Sequence, residues 1–316
     1  MSAVEVVALT GGIGGAKLAL GLHRVLPSGA LACVVNTGDD FTHLGLHVSP
    51  DLDTTLYTLA GCEDPERGWG RRDETWTFMR VLEELGGETW FRLGDGDLAL
   101  HVERTRRLAA GETLSAVMDD VRRRFGVASR LLPMSDHAVR TRVHTSGGEL
   151  DFQEYFVKLR AEPEVRAIDF AGAARARAPA GLAEVLTSAC LRAIVICPSN
   201  PYLSIDPILA IPGLSAALRA RALPIVAVSP LIGGRAVKGP TAKIMSELGI
   251  ETSNRAIAAH YGDLLDGLVV DEADRAVELP CGLPTQATRT LMQSLDDREA
   301  LAQTTLEFAD RLRQRG

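Results

Sequence analysis

The stretch VEVVALTGGIGGAK, residues 4–17, decides the fold of this chain. Its opening apolar, β-rich run predicts a buried strand, and a helix-like stretch follows the glycines as far as Val25. A strand, a glycine-rich loop and a helix in this order are typical of the first unit of an α/β sheet. Backbone N–H groups of such a loop, together with the N-terminus of its helix, are suited to bind a phosphate group.

Apolar runs continue to alternate with helical stretches further along the chain. Buried strands are predicted at residues 31–35, 193–197, 225–228 and 268–270. Helices are predicted around residues 183–191, 215–222, 241–248 and 255–265. A parallel sheet that is covered by helices on both faces produces this pattern. The predicted fold is therefore α/β, with a Rossmann-like, doubly wound and mostly parallel sheet.

The middle of the chain has a different pattern. Helical periodicity covers residues 74–85, 97–109 and 114–125, and Asp73 is predicted to cap the first of these helices. Residues 139–158, which contain alternating apolar positions and the turn pair Gly147-Gly148, predict a hairpin.

These patterns predict how the chain is divided. The Rossmann-like, nucleotide-binding core is assigned to residues 1–55 and 171–316. Residues 56–170 are assigned to an inserted helical and small-sheet subdomain that leans over the core sheet. An amphipathic helix over residues 294–313 is expected to cover an edge.

Composition excludes several classes of protein. The 316 residues include 34 Lys and Arg against 41 Asp and Glu, and the net charge of -7 disfavours binding to nucleic acid. The five cysteines are widely spaced and form no Cys-x-x-Cys pair, which predicts neither a disulfide framework nor a zinc knuckle. No run approaches the ~18–20 apolar residues of a membrane span. We expect a cytoplasmic protein that does not insert into membranes.

The glycine loop does not match the two best-known phosphate-binding motifs. Lys17 stands where the dinucleotide-binding fingerprint has its third glycine, which weakens a nicotinamide interpretation. A P-loop is excluded because Ala16 precedes this lysine and Leu18 follows it. The alternative to phosphate binding is a tight turn that serves only the packing of the helix against the strand.

Four carboxylates follow the second predicted strand. Asp39 and Asp40 end the segment NTGDD, and Asp51 and Asp53 belong to the segment SPDLDT. The carboxyl ends of strands form the rim where open α/β sheets bind ligands. Carboxylates beside a phosphate site suit Mg²⁺, which takes one or two protein carboxylates plus phosphate oxygens and water. The alternative is that individual members are solvated turn or capping residues.

A further polar group lies in the predicted insertion. Arg92 is a candidate ligand-binding residue, whereas Asp95 or Asp97 is expected to cap the helix that they begin. The arginines that follow are predicted to form a solvated helix face: Arg104, Arg106 and Arg107. The seven histidines show no metal-ligand spacing, so zinc is not predicted.

Two later loops follow predicted strands in the same way. Ser199 and Asn200 come after the run 193–197, and Gly233 ends a loop that begins at Ser229. Hydroxyl, amide and backbone groups at strand ends are suited to a nucleobase, ribose or phosphate. Ordinary turn chemistry is the alternative.

The motifs taken together resemble the 2-phospho-L-lactate transferase family. The match spans almost the whole chain in order, through the segments GGIGGAK (11–17), NTGDD (36–40), PDLDT (50–54), GDGDL (94–98), PMSD (133–136), PSNP (198–201) and VSPLIGG (228–234). The segment DPERGWG, residues 64–70, is similar to bacterial members, where the donor acid can be enolpyruvyl rather than lactyl.

The resemblance implies a reaction in the biosynthesis of coenzyme F-420. Members transfer a phosphorylated three-carbon acid, 2-phospho-L-lactate or phosphoenolpyruvate, from its guanosine diphosphate ester to the deazaflavin Fo (7,8-didemethyl-8-hydroxy-5-deazariboflavin), and GMP is released. They are transferases of substituted phosphate groups. The implied partners are these small molecules and a second copy of the chain in a homodimer, and the implied cofactor is Mg²⁺.

The resemblance also assigns residue roles. Asp53 and Arg92 are expected to contact Fo, with Asp53 or Asp40 as the catalytic carboxylate that orients or deprotonates the attacking hydroxyl. Asp39 and Asp40 are expected near Mg²⁺. The expected nucleotide-binding residues are Gly12, Gly14, Gly15, Lys17, Ser199, Asn200 and Gly233.

Two other functions remain open on the sequence. A nucleotide-sugar-binding regulator is possible because a related family shares the glycine-rich opening and the fold. The segments at 51–54 and 94–97 favour the transferase over this regulator. A nicotinamide dehydrogenase would use Asp39 for the ribose, but Lys17 weakens that hypothesis.

Overall fold

The computed structural model describes residues 3–220, 222–237 and 239–314. Its strands are β1 (Val6–Thr10), β2 (Leu31–Val35), β3 (Phe41–His43), β4 (Leu46–Val48), β5 (Arg130–Pro133), β6 (Arg140–Thr145), β7 (Gly148–Asp151), β8 (Val165–Ala171), β9 (Ala193–Ile196), β10 (Ile225–Val228), β11 (Leu231–Ile232), β12 (Arg235–Ala236), β13 (Gly267–Asp271) and β14 (Thr285–Thr288).

The α-helices of the described residues occupy both faces and the periphery of this scaffold. They are α1 (Gly12–Val25), α2 (Pro50–Leu59), α3 (Thr77–Glu84), α4 (Asp95–Ala109), α5 (Leu114–Arg124), α6 (Ala180–Leu186), α7 (Asp206–Leu209), α8 (Leu214–Arg219), α9 (Thr241–Glu247), α10 (Asn254–Tyr261) and α11 (Leu295–Arg313). None of these helices is both long and apolar enough to cross a membrane.

A seven-stranded parallel sheet forms the centre of the fold, in the order β14-β13-β10-β9-β1-β2-β5. Strand β1 lies between β2 and β9, so that Val6 pairs with Leu31 on one side and with Ala193 on the other. The chain first adds strands on the β2 side and later returns to the β9 side. This reversal is the switch point at which open α/β sheets bind ligands. The predicted doubly wound α/β fold is confirmed.

Continuous apolar sequence explains why the central strands lie inside. Every residue of β1, β2, β9 and β10 is buried, as expected for parallel strands that are covered on both faces. One hydrophobic cluster fills each side of the sheet. Helices α1 and α11 pack closely because Gly21 has no side chain, and a Cβ there would lie 2.1 Å from the Arg298 carbonyl oxygen.

Two strands of the main sheet were missed by the sequence analysis. Strand β5 belongs to the sheet although it lies within the segment 56–170 that we assign to the insertion. It is only four residues long and carries Arg130 and Pro133 at its ends, which hides the apolar signal. Edge strand β14 has the sequence TQAT and is likewise polar. The division of the chain into core and insertion stays a prediction.

The helix and hairpin predictions in the middle segment are partly correct. Helix α3 begins at Thr77 with Trp76 at its N-cap position, and Asp73 has a φ of 57°, so the predicted Asp73 cap is wrong. The predicted hairpin forms between β6 and β7, but its turn is Ser146-Gly147, because Gly148 already pairs with Thr145 as the first residue of β7. Its second strand ends at Asp151, and a third strand, β8, pairs with the other edge of β6.

Candidate functional site

A cavity of about 820 Å³ lies where the loops that follow the central strands meet. The loops after β1, β9 and β10 supply its polar wall. Aromatic side chains supply much of the rest: Trp69, Trp90, Phe91, Phe152 and Phe156. The lining of the cavity therefore combines glycines and hydroxyl groups with aromatic rings.

Two glycines of the first loop allow α1 to approach the loop after β9. A Cβ on Gly14 would lie 2.5 Å from the carbonyl oxygen of Pro198. A Cβ on Gly15 would lie 2.3 Å from the Thr10 hydroxyl oxygen and 2.4 Å from that of Ser199. All three distances are far shorter than van der Waals contact, so the packing favours glycine at each position.

Asp51 holds the start of the glycine loop. Its carboxylate accepts a hydrogen bond from the Gly12 N–H at 2.8 Å and one from the Asn36 side-chain amide at 2.9 Å. Gly12 has a φ of 65°, a left-handed conformation that favours glycine. Burial raises the pKa of Asp51 to about 6. Asp51 lines the cavity together with Asp39 and Asp53, and its hydrogen bonds also shape the loop.

Ser199 and Asn200 are buried or partly buried in the second loop, where their side chains bond mainly to the protein. The Ser199 hydroxyl donates to the Gly11 carbonyl at 2.8 Å. The Asn200 side-chain oxygen accepts from the N–H groups of Tyr202 and Leu203, and its amide donates to Thr241 at 3.0 Å. Both residues line the cavity while they fix the shape of its wall.

Lys17 lines the cavity, and its ammonium group donates to the Met292 carbonyl at 3.0 Å. That carbonyl belongs to a loop over residues 290–293 that also lines the cavity. Asp271 holds the other end of this loop, because it accepts from both the N–H and the hydroxyl of Thr290. This loop, which follows the polar strand β14, was not predicted from the sequence as part of the site.

Gly233 lies in the tight turn between β11 and β12 and is exposed. Its N–H donates to Asp274 at 2.9 Å. Gly233 is not among the described residues that line the cavity, whereas the neighbouring Ile232 is. The structure therefore separates Gly233 from the other predicted nucleotide-binding residues.

Asp39 and Asp40 are both buried, with exposures of 6% and 2%. Asp39 lines the cavity; Asp40 is not among the described lining residues and accepts a hydrogen bond from the Ser49 hydroxyl at 2.8 Å. One oxygen of each carboxylate is buried and has no hydrogen-bond partner among the described residues. Burial, and after it the charge of Asp51, raises the pKa of Asp39 well above its ordinary value.

A carboxylate oxygen without a hydrogen-bond partner suits a hard divalent cation, and of these two residues Asp39 is the one that lines the cavity. Mg²⁺ prefers carboxylate oxygens, and a bound cation would offset the cost of keeping adjacent carboxylates ionised. Both residues were predicted from the sequence as the Mg²⁺ pair. Their donor chemistry is compatible with that prediction.

Asp53 is bound on both of its oxygens by Arg104. The two guanidinium nitrogens donate at 2.6 and 2.9 Å, and the Arg104 side chain has no exposed surface. Burial disfavours a charged guanidinium, but the charge and hydrogen bonds of Asp53 raise the pKa of Arg104 overall. The prediction of a solvated Arg104 is wrong, since this side chain points from α4 into the buried carboxylates.

Asp97 and His101 extend the cluster around Asp53, and both line the cavity. The Tyr57 hydroxyl donates to Asp97 at 2.6 Å. Burial works against ionisation, yet hydrogen bonds from His101 and Tyr57 hold the pKa of Asp97 below its ordinary value. One atom from each of Asp53, Asp97 and His101 lies within 4.8 Å of those of the other two. His101 was not predicted from the sequence as a site residue.

Helices α3 and α4 cap each other, since Glu74, which precedes α3, caps α4, and Asp95, the first residue of α4, caps α3. Glu74 accepts from the N–H groups of Gly96 and Asp97 at the start of α4. Asp95 accepts from the N–H groups of Thr77 and Phe78 at the start of α3. The expectation that Asp95 or Asp97 caps its own helix is therefore wrong. This exchange of caps fixes the segment that carries Arg92 and Asp97.

Arg92 lines the cavity and lies over the Trp76 ring, with its guanidinium carbon 4.6 Å from the ring centroid. Arg67 lies 4.7 Å from the same centroid. Cation–π contacts of this kind restrict the position of a long, exposed side chain. Arg92 is thus held beside the cavity, and its role in binding a ligand stays a prediction.

The aromatic part of the cavity contains ordered ring contacts. Phe152 and Phe156 stack with an interplanar angle of 10° and centroids 5.4 Å apart. Trp90 and Phe91 meet edge to face at 5.8 Å. Flat apolar walls of this type suit a planar ring system.

The fold and the cavity define a doubly wound α/β protein with a ligand site at its switch point, where a glycine loop meets buried carboxylates. The family model described as 2-phospho-L-lactate transferase CofD matches residues 6–305. The chain belongs to this family, and it is a transferase of that family.

Several relatives match nearly the whole chain. A phosphoenolpyruvate transferase of Streptomyces griseus subsp. griseus is 43% identical over 98% of this chain and 100% of its own length. One of Thermobifida fusca is 40% identical over 99% and 100%. A solved structure of a UPF0052 family protein from Bacillus halodurans has a TM-score of 0.63 at 16% identity, over 97% of this chain and 99% of that one. Similarity at that identity shows the fold alone.

Proposed function

We propose that this protein transfers a phosphorylated three-carbon acid from its guanosine diphosphate ester to the deazaflavin Fo and releases GMP. The observation that carries the proposal is the single cavity of about 820 Å³, which combines a glycine-loop wall, an aromatic wall and buried carboxylates. A nucleotide diphosphate suits the first wall and a flat deazaflavin the second. The names of the 37–43% identical relatives favour the enolpyruvyl ester as donor.

The chemistry requires a hydroxyl of the ribityl chain to attack the phosphorus that carries the acid. A new oxygen–phosphorus bond forms as the bond to the bridging oxygen breaks, GMP leaves with that oxygen, and the hydroxyl proton passes to solvent. Positioning and electrostatics supply most of the rate in phosphoryl transfer. Asp53 would orient the hydroxyl by accepting its hydrogen bond, since this carboxylate lines the cavity and is held rigidly by Arg104.

Asp39 and Asp40 would hold Mg²⁺, which would supply positive charge to the phosphate oxygens of the donor. Arg92 would contact the deazaflavin from its place over Trp76. The backbone of the glycine loop and of the segment 198–200 would hold the guanosine diphosphate portion, with the Ser199 and Asn200 side chains keeping that backbone in place.

The test is an incubation of the purified protein with Fo, Mg²⁺ and each of the lactyl, enolpyruvyl and glyceryl guanosine diphosphates. Chromatography would follow GMP and the mass of the deazaflavin product. We expect a phosphorylated Fo adduct with the enolpyruvyl donor. A protein that binds GDP but forms no adduct with any donor would instead be a nucleotide-binding regulator.

Asp53→Asn tests the assignment of the carboxylate. It keeps the size of the side chain but loses one charge-assisted hydrogen bond to Arg104, and it accepts a hydroxyl proton poorly. We expect turnover to fall about 100-fold or more while GDP still binds. Full turnover with unchanged Fo affinity would show that this carboxylate is not the one that orients the hydroxyl.

A further inference from the structure

The cluster around Asp53 contains two side chains that take no part in the chemical step of the proposed reaction. Arg104 and His101 both belong to α4, and their side chains are 0% and 1% exposed. A buried arginine and a buried histidine are costly to desolvate unless they are paired. Their partners here are the two cavity-lining carboxylates, Asp53 and Asp97.

Hydrogen bonds run from Asp53 through Arg104 to His101, whereas the last step to Asp97 is a longer approach, because Nε2 of His101 has no hydrogen-bond partner among the described residues. Arg104 binds both oxygens of Asp53, and its Nη2 also lies 2.8 Å from Nδ1 of His101. The His101 Nε2 lies 3.4 Å from Oδ1 of Asp97. The Tyr57 hydroxyl donates to that same Asp97 oxygen.

The contact with Arg104 determines which ring nitrogen of His101 can carry a proton. A guanidinium can only donate hydrogen bonds, so Nδ1 of His101 must accept and cannot carry a proton. The proton of the neutral ring is therefore on Nε2, on the side of Asp97. This assignment argues against the reading of Asp53, Asp97 and His101 as three metal ligands, because one ring nitrogen is protonated and Arg104 occupies the other.

We propose that Arg104 and His101 are positioning residues that keep Asp53 and Asp97 in fixed orientations on the cavity wall. Arg104 also donates to the His47 carbonyl at 3.1 Å, which anchors its guanidinium to β4 independently of the carboxylate. Asp53 consequently has a defined direction before any ligand binds. The inference rests on the proposed function, in which Asp53 orients the attacking hydroxyl.

Arg104→Lys tests the role of the forked guanidinium, because lysine keeps the charge and cannot bind both oxygens in the same geometry. We expect kcat to fall about 10- to 100-fold, with KM for both substrates changed by less than about threefold. Arg107→Lys is the matched control on the same helix, since Arg107 pairs with Glu112 and Asp120. Its kcat should stay within about twofold of the wild type.

A double-mutant cycle separates positioning from a general loss of structure. If Arg104 acts through Asp53, Arg104→Lys should lower turnover by less than about twofold in an Asp53→Asn background. A loss as large as in the wild-type background would overturn the inference. So would equal effects of the Arg104→Lys and Arg107→Lys changes.

Imidazole ¹⁵N NMR of the wild-type protein measures the histidine directly and needs no turnover. The His101 signals, assigned by their loss in His101→Phe, should show a neutral ring protonated on Nε2. A ring protonated on Nδ1 would contradict the hydrogen bond from Arg104 to Nδ1, and with it the inference. If the wild type makes no adduct with any donor, the proposed function is wrong. The NMR result alone then decides whether Arg104 and His101 are in contact as described.

Discussion

Gly15 and Ser199 are so close that a methyl group on the Gly15 Cα would lie 2.4 Å from the Ser199 hydroxyl oxygen. The two residues come from loops that follow neighbouring strands, β1 and β9, on either side of the switch point. The Ser199 hydroxyl at this contact also bonds to both backbone groups of Gly11. The glycine loop and the loop after β9 therefore form one packed unit.

Gly15→Ala should disrupt this unit. The added methyl group forces Thr10 and Ser199 to move, and overpacking of this kind costs about 1–3 kcal/mol. Urea unfolding should show that loss of stability, and GDP should bind more weakly. Gly147→Ala is the control, because the nearest atom to a Cβ there is 3.7 Å away. An unfolding midpoint for Gly15→Ala equal to that of the wild type would contradict the packing argument.

The sequence predicts the central sheet well because apolar strands that are buried on both faces give unbroken runs. It predicts the edge strands poorly, since β5 has charged or cyclic residues at its ends and β14 is made of polar residues. Edge strands bury less surface and need fewer apolar side chains. Their place in the sheet depends on neighbours that are distant in the sequence.

The carboxylates of the candidate site were predicted from the sequence, but the residues that bind and position them were not. The residues of α4 that are buried recur at helical spacing, and they are Asp97, Leu100, His101 and Arg104. A polar stripe of that spacing is the signal that could have indicated a buried network. The neighbouring Arg106 and Arg107 concealed it, because an arginine-rich segment suggests a solvated face.

Asp51 should make stability depend on pH. Its pKa is about 6 in the folded protein, against an ordinary value of 3.8, so the folded protein binds a proton that the unfolded chain has lost between about pH 4 and 6. The contribution of Asp51 to the free energy of unfolding therefore falls as the pH rises through that range, by roughly 3 kcal/mol at most. Urea unfolding from pH 4 to 7 measures the change.

Asp51→Asn does not titrate, so the difference in stability between this variant and the wild type should shift in favour of the variant as the pH rises from 4 to 6. Asp296→Asn, at an exposed position, is the control. A difference that stays constant over this range would show that the pKa of Asp51 is not raised.

Lys17→Met should loosen the loop over residues 290–293. The change removes the donor to the Met292 carbonyl, and one hydrogen bond of a charged group is worth about 1–2 kcal/mol. Hydrogen exchange in this loop should become faster, and GDP affinity should fall about 3- to 10-fold. Weaker GDP binding with unchanged exchange would instead indicate that Lys17 contacts the nucleotide directly.

Trp76→Leu should weaken the binding of Fo through Arg92. The ring under the guanidinium is lost, and a cation–π contact of an exposed side chain is worth about 0.5–1 kcal/mol. We expect KM for Fo to rise about 2- to 5-fold with little change in kcat. Trp76→Phe keeps an aromatic face and should recover most of the affinity. A leucine variant with wild-type KM would mean that Arg92 needs no support from this ring.

Lys243→Met should weaken the attachment of the three-stranded sheet β7-β6-β8 to helix α9. Lys243, in α9, donates to the Pro163 carbonyl at 2.8 Å and to Glu247 at 2.7 Å, and Glu247 accepts the N–H of Val165 in β8. Without the ammonium group the Pro163 carbonyl loses its partner and Glu247 loses its counter-charge. Hydrogen exchange at residues 161–171 should rise, whereas the main sheet should exchange as in the wild type. We expect a loss of about 1 kcal/mol in local stability.

Lys158→Met is the matched control for this tie. It removes a lysine that follows strand β7 and pairs with Glu154 in an exposed contact one helical turn away. Exposed pairs of this kind contribute little, so exchange in β8 should not change. If the Lys158 variant raised exchange in β8 as much as the Lys243 variant, the contact between α9 and β8 would not be what stabilises that strand. The Phe152 and Phe156 side chains follow the hairpin in sequence and line the cavity, so loosening that is specific to Lys243→Met should also lower the affinity for Fo.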